Sequence, residues 1–153
     1  MGEVVSESIE IAAPIETVWD VVMDPERLGE WVTIHRSVED VPAGKLVTGS
    51  RFRQKLRLKG VPLEVEWEVT ECAAPRRARW AGKAAAGAKA RISYDLSESD
   101  GGTRFDYENE FELPAGKAGR LAARAFNAVT GDREARRTLA RLKELLENGA
   151  DDR

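Results

Sequence analysis

The stretch RFRQKLRLKGVPLEVEWEVT, Arg51 to Thr70, carries two runs that alternate with a period of two. Phe52, Gln54, Leu56 and Leu58 interleave with Arg51, Arg53, Lys55 and Arg57. Leu63, Val65, Trp67 and Val69 interleave with Glu64, Glu66 and Glu68. Because successive side chains of a strand point to opposite faces, each run has one apolar and one charged face, and a turn around Gly60 makes the two an antiparallel hairpin. A two-residue loop of Gly60 and Val61, with glycine first as in a type II′ turn, would set Arg57 opposite Glu64, Lys55 opposite Glu66 and Arg53 opposite Glu68. The three glutamates are then partners of a basic strand rather than a metal or acid/base cluster. A one-residue slip would expose Gln54 but bury Arg53, Lys55 and Glu66, and the cost of burying those charges fixes the faces.

The same period continues outward. Ala78 to Ala84 reads as a strand around Trp80. Ala88, Ala90, Ile92, Tyr94 and Leu96 alternate with charged or polar residues and, past Asp100, Gly101 and Gly102, are answered by Phe105, Tyr107, Asn109, Phe111 and Leu113. With Leu96 facing Phe105, Arg91 meets Glu110, Lys89 meets Glu112, and Tyr94 lies directly opposite Tyr107. Asp95 against Asp106 is the one poor pair. Towards the N-terminus, Val4 to Ile11 reads as a strand with one wet face. Pro14 opens a helix whose apolar stripe is Ile15, Val18, Trp19 and Val22, and Asp24-Pro25 starts a second short helical turn through Leu28 to Trp31. His35 then falls in a loop.

Gly116 to Asn148 is the longest helical pattern. Leu121, Ala122, Ala125, Phe126 and Val129, and then Ala135, Leu139, Leu142 and Leu146, recur at the spacing of one buried face. The stripe shifts by a quarter turn at Thr130, Gly131 and Asp132, where a bend is expected. At about 1.5 Å per residue such a helix spans a small domain, so the sheet must wrap around it. Its eight Lys or Arg against four Asp or Glu fall mostly opposite the apolar stripe, as on a solvated face.

In 153 residues with a net charge of -3 there is no repeat, linker or low-complexity segment, so residues 1–153 are expected to form one domain. Cys72 is the only cysteine, no signal-like or membrane-spanning run appears, and a cytoplasmic location is expected. No Gly-rich phosphate loop, metal-spaced Cys/His group or aromatic-interleaved basic strand is found, so no cofactor, metal, nucleic acid or integral membrane association is expected. His35 is the one histidine available for acid/base work. Periodicity carries no information on the oligomeric state.

Strand, two short helices, a meander of hairpins and a closing long helix resemble the helix-grip fold of the START-like (SRPBCC) superfamily. Ala13 to Asp20 look like that family's first helix. Asp24, Pro25, Glu26, Arg27 and Leu28 with Glu30 and Trp31 look like its second. Gly49 with Phe52, Gly101 and Gly102 with Thr103, Phe105 and Tyr107, and Leu139 and Leu142 with Lys143 match its polyketide cyclase/dehydrase branch. The resemblance implies an α+β fold, a curved antiparallel sheet of six or seven strands gripping the long helix, with an elongated cavity for a hydrophobic ligand. It also implies that catalytic members act through arginine and tyrosine inside the cavity. Here Arg51, Arg53, Arg57 and Arg91 point outward.

The residues expected to line the cavity are Trp31, Gln54, Trp67, Trp80, Tyr94, Tyr107, Asn109 and, on the long helix, Phe126. The leading reading is a binder of a hydrophobic, aromatic or polyketide-like small molecule. A cyclase, aromatase or dehydratase using Tyr94, Tyr107 or His35 is the alternative, and an interaction module using the basic helix is the third.

Overall fold

The computed structural model describes residues 3–58, 61–84, 87–112 and 132–149. Phe126, the bend at Gly131 and the N-terminal half of the long helix lie outside them. The elements run β1 (Glu3–Ile11), α1 (Ile15–Val22), a 3-10 turn (Pro25–Arg27), α2 (Leu28–Trp31), β2 (His35–Glu39), β3 (Arg51–Leu58), β4 (Val61–Ala73), β5 (Arg77–Ala84), β6 (Lys89–Ser99), β7 (Gly102–Glu112) and α3 (Asp132–Gly149). The strands form one seven-stranded antiparallel sheet in the order β1-β7-β6-β5-β4-β3-β2. Its curl is helped by breaks in register between Val69 and Glu71 and between His35 and Ser37, where an extra residue bends the strand. This is the α+β helix-grip architecture.

The hairpin β6–β7 keeps the expected register, with Leu96 on Phe105, Tyr94 on Tyr107 and Arg91 on Glu110. Asp100 and Gly101 make its turn at φ 39° and 83°, a left-handed pair that Asp-Gly adopts at low cost. The hairpin β3–β4 corrects the sequence reading by two residues: Arg53 faces Glu66 and Lys55 faces Glu64, and the strands close at Leu58 and Val61. Charge complementarity repeats every two residues, so it holds equally well in either register; only the inward and outward faces were determined by it. His35 is also corrected. It begins strand β2 instead of lying in a loop, because β2 is a short edge strand whose HRSVE sequence lacks apolar alternation.

Helix α3 packs Leu139, Leu142 and Leu146 into the core, while Arg137 and Arg141 are exposed as expected. Polar contacts fasten it at both sides. Lys143 Nζ donates to the Glu10 carbonyl at 2.7 Å, and Glu147 Oε2 accepts from the Ala12 amide at 2.9 Å, which pins the corner between β1 and α1. Thr138 and Thr33 bring their hydroxyls within 3.3 Å beside α2. At the same corner Thr103 donates to the Ala13 carbonyl at 2.8 Å, and a Cβ at Gly102 would run into the Ile11 carbonyl, so the close approach of β7 to the end of β1 requires glycine. The concave face of the sheet is thereby held against helix on one side.

Candidate functional site

Alternation along β3 to β7 brings Gln54, Trp67, Trp80, Tyr94, Tyr107 and Asn109 to the inner face, and α2 lowers Trp31 onto it. Trp31 is fully buried, and Gln54, Trp67, Trp80 and Tyr94 are buried. Tyr107 and Asn109 are half-buried on β7. The rings touch in a continuous series. Phe52 stands edge-on to Trp80 at 5.6 Å and Trp80 to Tyr94 at 6.0 Å, and Tyr94 meets Phe105 at 5.2 Å, Tyr107 at 6.1 Å and Trp31 at 6.3 Å. These are the tilted and edge-to-face separations that aromatic quadrupoles favour.

Two polar arrangements are set into this surface. On β3 and β4 the Trp67 indole donates to Gln54 Oε1 at 2.9 Å, and the Gln54 amide nitrogen lies 2.9 Å from His35 Nδ1. Since Gln54 accepts through its oxygen, its NH2 must donate to His35, which makes Nδ1 the acceptor and places the imidazole proton on Nε2. Burial lowers the His35 pKa below its ordinary value, consistent with a neutral ring. Gly82 lies across from Trp67, and a Cβ there would come within 2.7 Å of both Trp67 and Val65, so glycine leaves room for the indole. On β7 the Asn109 amide nitrogen donates to Tyr107 Oη at 2.9 Å.

The phenols are held protonated. Burial pushes Tyr107 up to about 12, partly offset by its bond from Asn109. Burial also raises Tyr94 well above the ordinary tyrosine value, with the neighbouring Tyr107 adding to it. Both are therefore hydrogen-bond donors at neutral pH. The Cys72 thiol is raised by burial, and its sulfur sits 3.7 Å from the Leu46 carbonyl, so it behaves as a small packed side chain rather than a thiolate nucleophile.

One inward residue was missed. Glu7 occupies the position opposite Tyr107 across β1 and β7 and pairs with Arg136 of α3 at 3.0 Å. The signal was present in the strand's parity: Ile9 and Ile11 are on the same face, and Glu7 is two residues from Ile9. The arginines lie on the outer face as expected, Arg51 paired with Glu68 at 3.1 Å and Arg53 with Asp40 at 2.7 Å, while Arg57 and Arg91 are exposed. A separate groove of about 560 Å³ opens between α1, the Pro25–Arg27 turn and the segment Val41 to Leu46, and none of the inner-face set lines it. Among the described residues no three His, Cys, Asp or Glu are grouped to hold a metal ion, and no helix is long and apolar enough to cross a membrane.

The chain is similar to Rv1546 of Mycobacterium tuberculosis, 28% identical over 144 residues that cover 90% of this chain and 97% of that protein. Among solved structures it is similar to TTHA0849 from Thermus thermophilus, with a TM-score of 0.75 at 20% identity over 96% of this chain and 99% of that one. It is also similar to DynU16, a protein of the dynemicin biosynthetic locus, with a TM-score of 0.64 at 18% identity over 95% of this chain and 48% of that one. At these identities the structural likenesses show the fold alone. The family described as polyketide cyclase/dehydrase and lipid transport matches residues 3–147, from the first residue of β1 to the last turn of α3. The strand order, the gripped helix and a match across nearly the whole sequence coincide, and the chain belongs to the polyketide cyclase/dehydrase and lipid transport family.

Proposed function

We propose that this protein binds a hydrophobic small molecule, aromatic or polyketide-like, between the inner face of the sheet and the C-terminal helix. Trp31, Gln54, Trp67, Trp80, Tyr94, Tyr107 and Asn109 would contact it, with Phe126 from the long helix. The observation that carries this reading is the connected aromatic surface with a tyrosine–asparagine pair set into it. A core built only for stability gains little from a carboxamide at Asn109, whereas a ligand site uses a few placed polar groups on an apolar wall to orient what it binds.

Binding is favoured over cyclase or dehydratase chemistry because the groups that would move a proton are committed elsewhere. His35 Nδ1 already accepts from Gln54, Glu7 is paired with Arg136, and both phenols are held protonated. Tyr94 and Tyr107 can donate hydrogen bonds to a ligand oxygen, and the carboxylate opposite Tyr107, Glu7, is held by Arg136.

Titration with a neutral, environment-sensitive naphthalene dye tests the reading. Binding is expected to enhance the dye's emission and quench tryptophan fluorescence, and native mass spectrometry of freshly purified protein is expected to show a retained small molecule. Absence of dye binding, or binding that is unchanged in both Asn109→Leu and Tyr107→Phe, would overturn the assignment of the site.

A further inference from the structure

The groove between α1 and the β2–β3 connection is built apart from the inner face of the sheet. Trp19, Met23, Pro25 and Leu46 contribute buried apolar surface to its lining. Its volume of about 560 Å³ falls within the ~300–1,000 Å³ of ligand clefts. One wall is the end of α1 with the Pro25–Arg27 turn, and it carries Asp20, Asp24 and Glu26. The other is the irregular segment Val41 to Leu46, which carries Lys45.

That segment is fastened at both ends and open between them. Before it, Asp40 Oδ2 pairs with Arg53 at 2.7 Å. After it, the Gly49 amide donates to the Val69 carbonyl at 2.7 Å and the Val69 amide donates to the Ser50 carbonyl at 2.9 Å. From Val41 to Lys45 the peptide groups make no hydrogen bond among the described residues. Backbone N–H and C=O groups are strong donors and acceptors, so this wall offers a second chain partners for its own peptide groups.

The charges of the lining are unbalanced, three carboxylates against one amine. Lys45 Nζ stands 4.0 Å from Asp20 Oδ1 and its side chain is 90% exposed, so the pair gains little and is readily replaced. Asp24 Oδ1 accepts from the Glu26 amide at 3.0 Å, which leaves its other oxygen to bind, and the Glu26 carboxylate has no partner among the described residues.

We propose that this groove is a docking site for an extended basic segment of a partner protein, with one apolar side chain seated between two Lys or Arg. The apolar side chain covers Trp19, Met23 and Leu46, the flanking cations meet Asp20 and Glu26, and the peptide groups pair with Val41 to Lys45. A single small amine would answer one carboxylate and none of the peptide groups. The proposal is independent of the ligand assigned to the inner face.

Titration of the ¹⁵N-labelled full chain with the peptide Ac-Lys-Leu-Lys-NH2, followed by amide and indole chemical shifts, tests it. Shifts are expected at Trp19, Asp24 and Ala43 to Leu46. The peptide is expected to bind roughly threefold to tenfold more tightly than Ac-Gln-Leu-Gln-NH2, with the advantage shrinking in high salt. Asp20→Asn and Glu26→Gln are each expected to weaken it, and Lys45→Ala, which removes the competing amine, to strengthen it. All three side chains are exposed, so the fold does not depend on them. Shifts absent from the groove at millimolar peptide, equal binding of the glutamine peptide, or an affinity unchanged in all three variants would overturn the proposal. Equal binding of 3-methylbutylamine would overturn the peptide assignment in favour of a small amine. Groove shifts that appear on concentrating the protein alone would overturn it in favour of a second copy. Shifts confined to the inner strands would overturn it while leaving the inner-face reading standing.

Discussion

The two faces of the sheet are built from the same strands and held by opposite means. On the outer face, Arg51, Arg53 and Lys55 of β3 meet Glu39, Asp40, Glu64 and Glu68 in exposed ion pairs. Each such pair gains little in water and is screened by salt. On the inner face, aromatic rings and leucines are buried in contact, with few polar groups and each in a definite place. The difference teaches that the outer charges specify which side of each strand faces inward, whereas the inner side chains supply the stability and the site.

The largest test of this division is truncation of the helix that closes the inner side. Leu139 is 2% exposed. Leu139→Ala is expected to cost about 2–5 kcal/mol through lost burial and the cavity left behind. Chemical denaturation measures it. A loss comparable to that of a surface substitution would mean that α3 is not gripped as described.

The tyrosines give a spectroscopic reading of the same face. The protein has two tyrosines, and both face inward. Tyr107 is pushed up to about 12 and Tyr94 is raised well above the ordinary value, so the folded state favours the neutral phenols. Their contribution to stability is complete below the unfolded value near 10 and is lost as pH rises through the folded values. Absorbance of phenolate at 295 nm should therefore stay absent at pH 11 in the native protein and appear there in denaturant. Phenolate at pH 10 without unfolding would show that these rings are open to water.

How far these faces could be read from the sequence depended on which residues marked them. Parity along Phe52 to Leu56, Leu63 to Val69, Ala88 to Leu96 and Phe105 to Asn109 placed Gln54, Trp67, Tyr94, Tyr107 and Asn109 on the inner face, because a slip would have buried charge. Register was legible only where the turn declared it. Asp100-Gly101 selects its own left-handed geometry, whereas the loop between Leu58 and Val61 was located by charge pairs that fit in two registers. β2 was illegible as a strand because HRSVE has neither alternation nor β-branched density, so the link from His35 to Gln54 and Trp67 emerged only from the fold. Glu7 went unnoticed for a different reason: no face was assigned along Val4 to Ile11, although the parity of that strand turns Glu7 inward.

A smaller effect is expected at the β2 edge of the inner face, where His35 joins Gln54. Burial lowers its pKa from 6.5, so its contribution to stability is complete above that value and lost as pH falls through the lowered folded value. The geometry supplies the reason. Trp67 holds Gln54 Oε1, the amide hydrogens face Nδ1, and a proton added to Nδ1 would set donor against donor. The denaturation midpoint is expected to fall between pH 7 and pH 5 in the wild type and to stay nearly level in His35→Gln. The carboxylates of Glu30, Glu39 and Glu147 are lowered from 4.5 and so titrate below this window. An equal fall in both proteins would remove His35 as its cause.

The smallest effect is expected on the outer face, and it decides whether the contrast between faces is real. Arg53 has the richest set of outer partners, with Asp40 at 2.7 Å, Glu39 at 3.2 Å and Glu64 at 3.3 Å. Its pKa is raised, by the hydrogen bond to Asp40 first, so it is charged at any pH at which the protein is studied. Three carboxylates around one guanidinium also repel one another, and removing the arginine lets each return to water rather than leaving it stranded in a core. Arg53→Ala should therefore move the denaturation midpoint by a small amount against Leu139→Ala, and the difference from wild type should shrink further in 1 M salt as the interactions are screened. A loss as large as that of Leu139→Ala and unchanged by salt would show that the charged side of β3 carries stability in its own right, and the division of labour between the two faces would have to be abandoned.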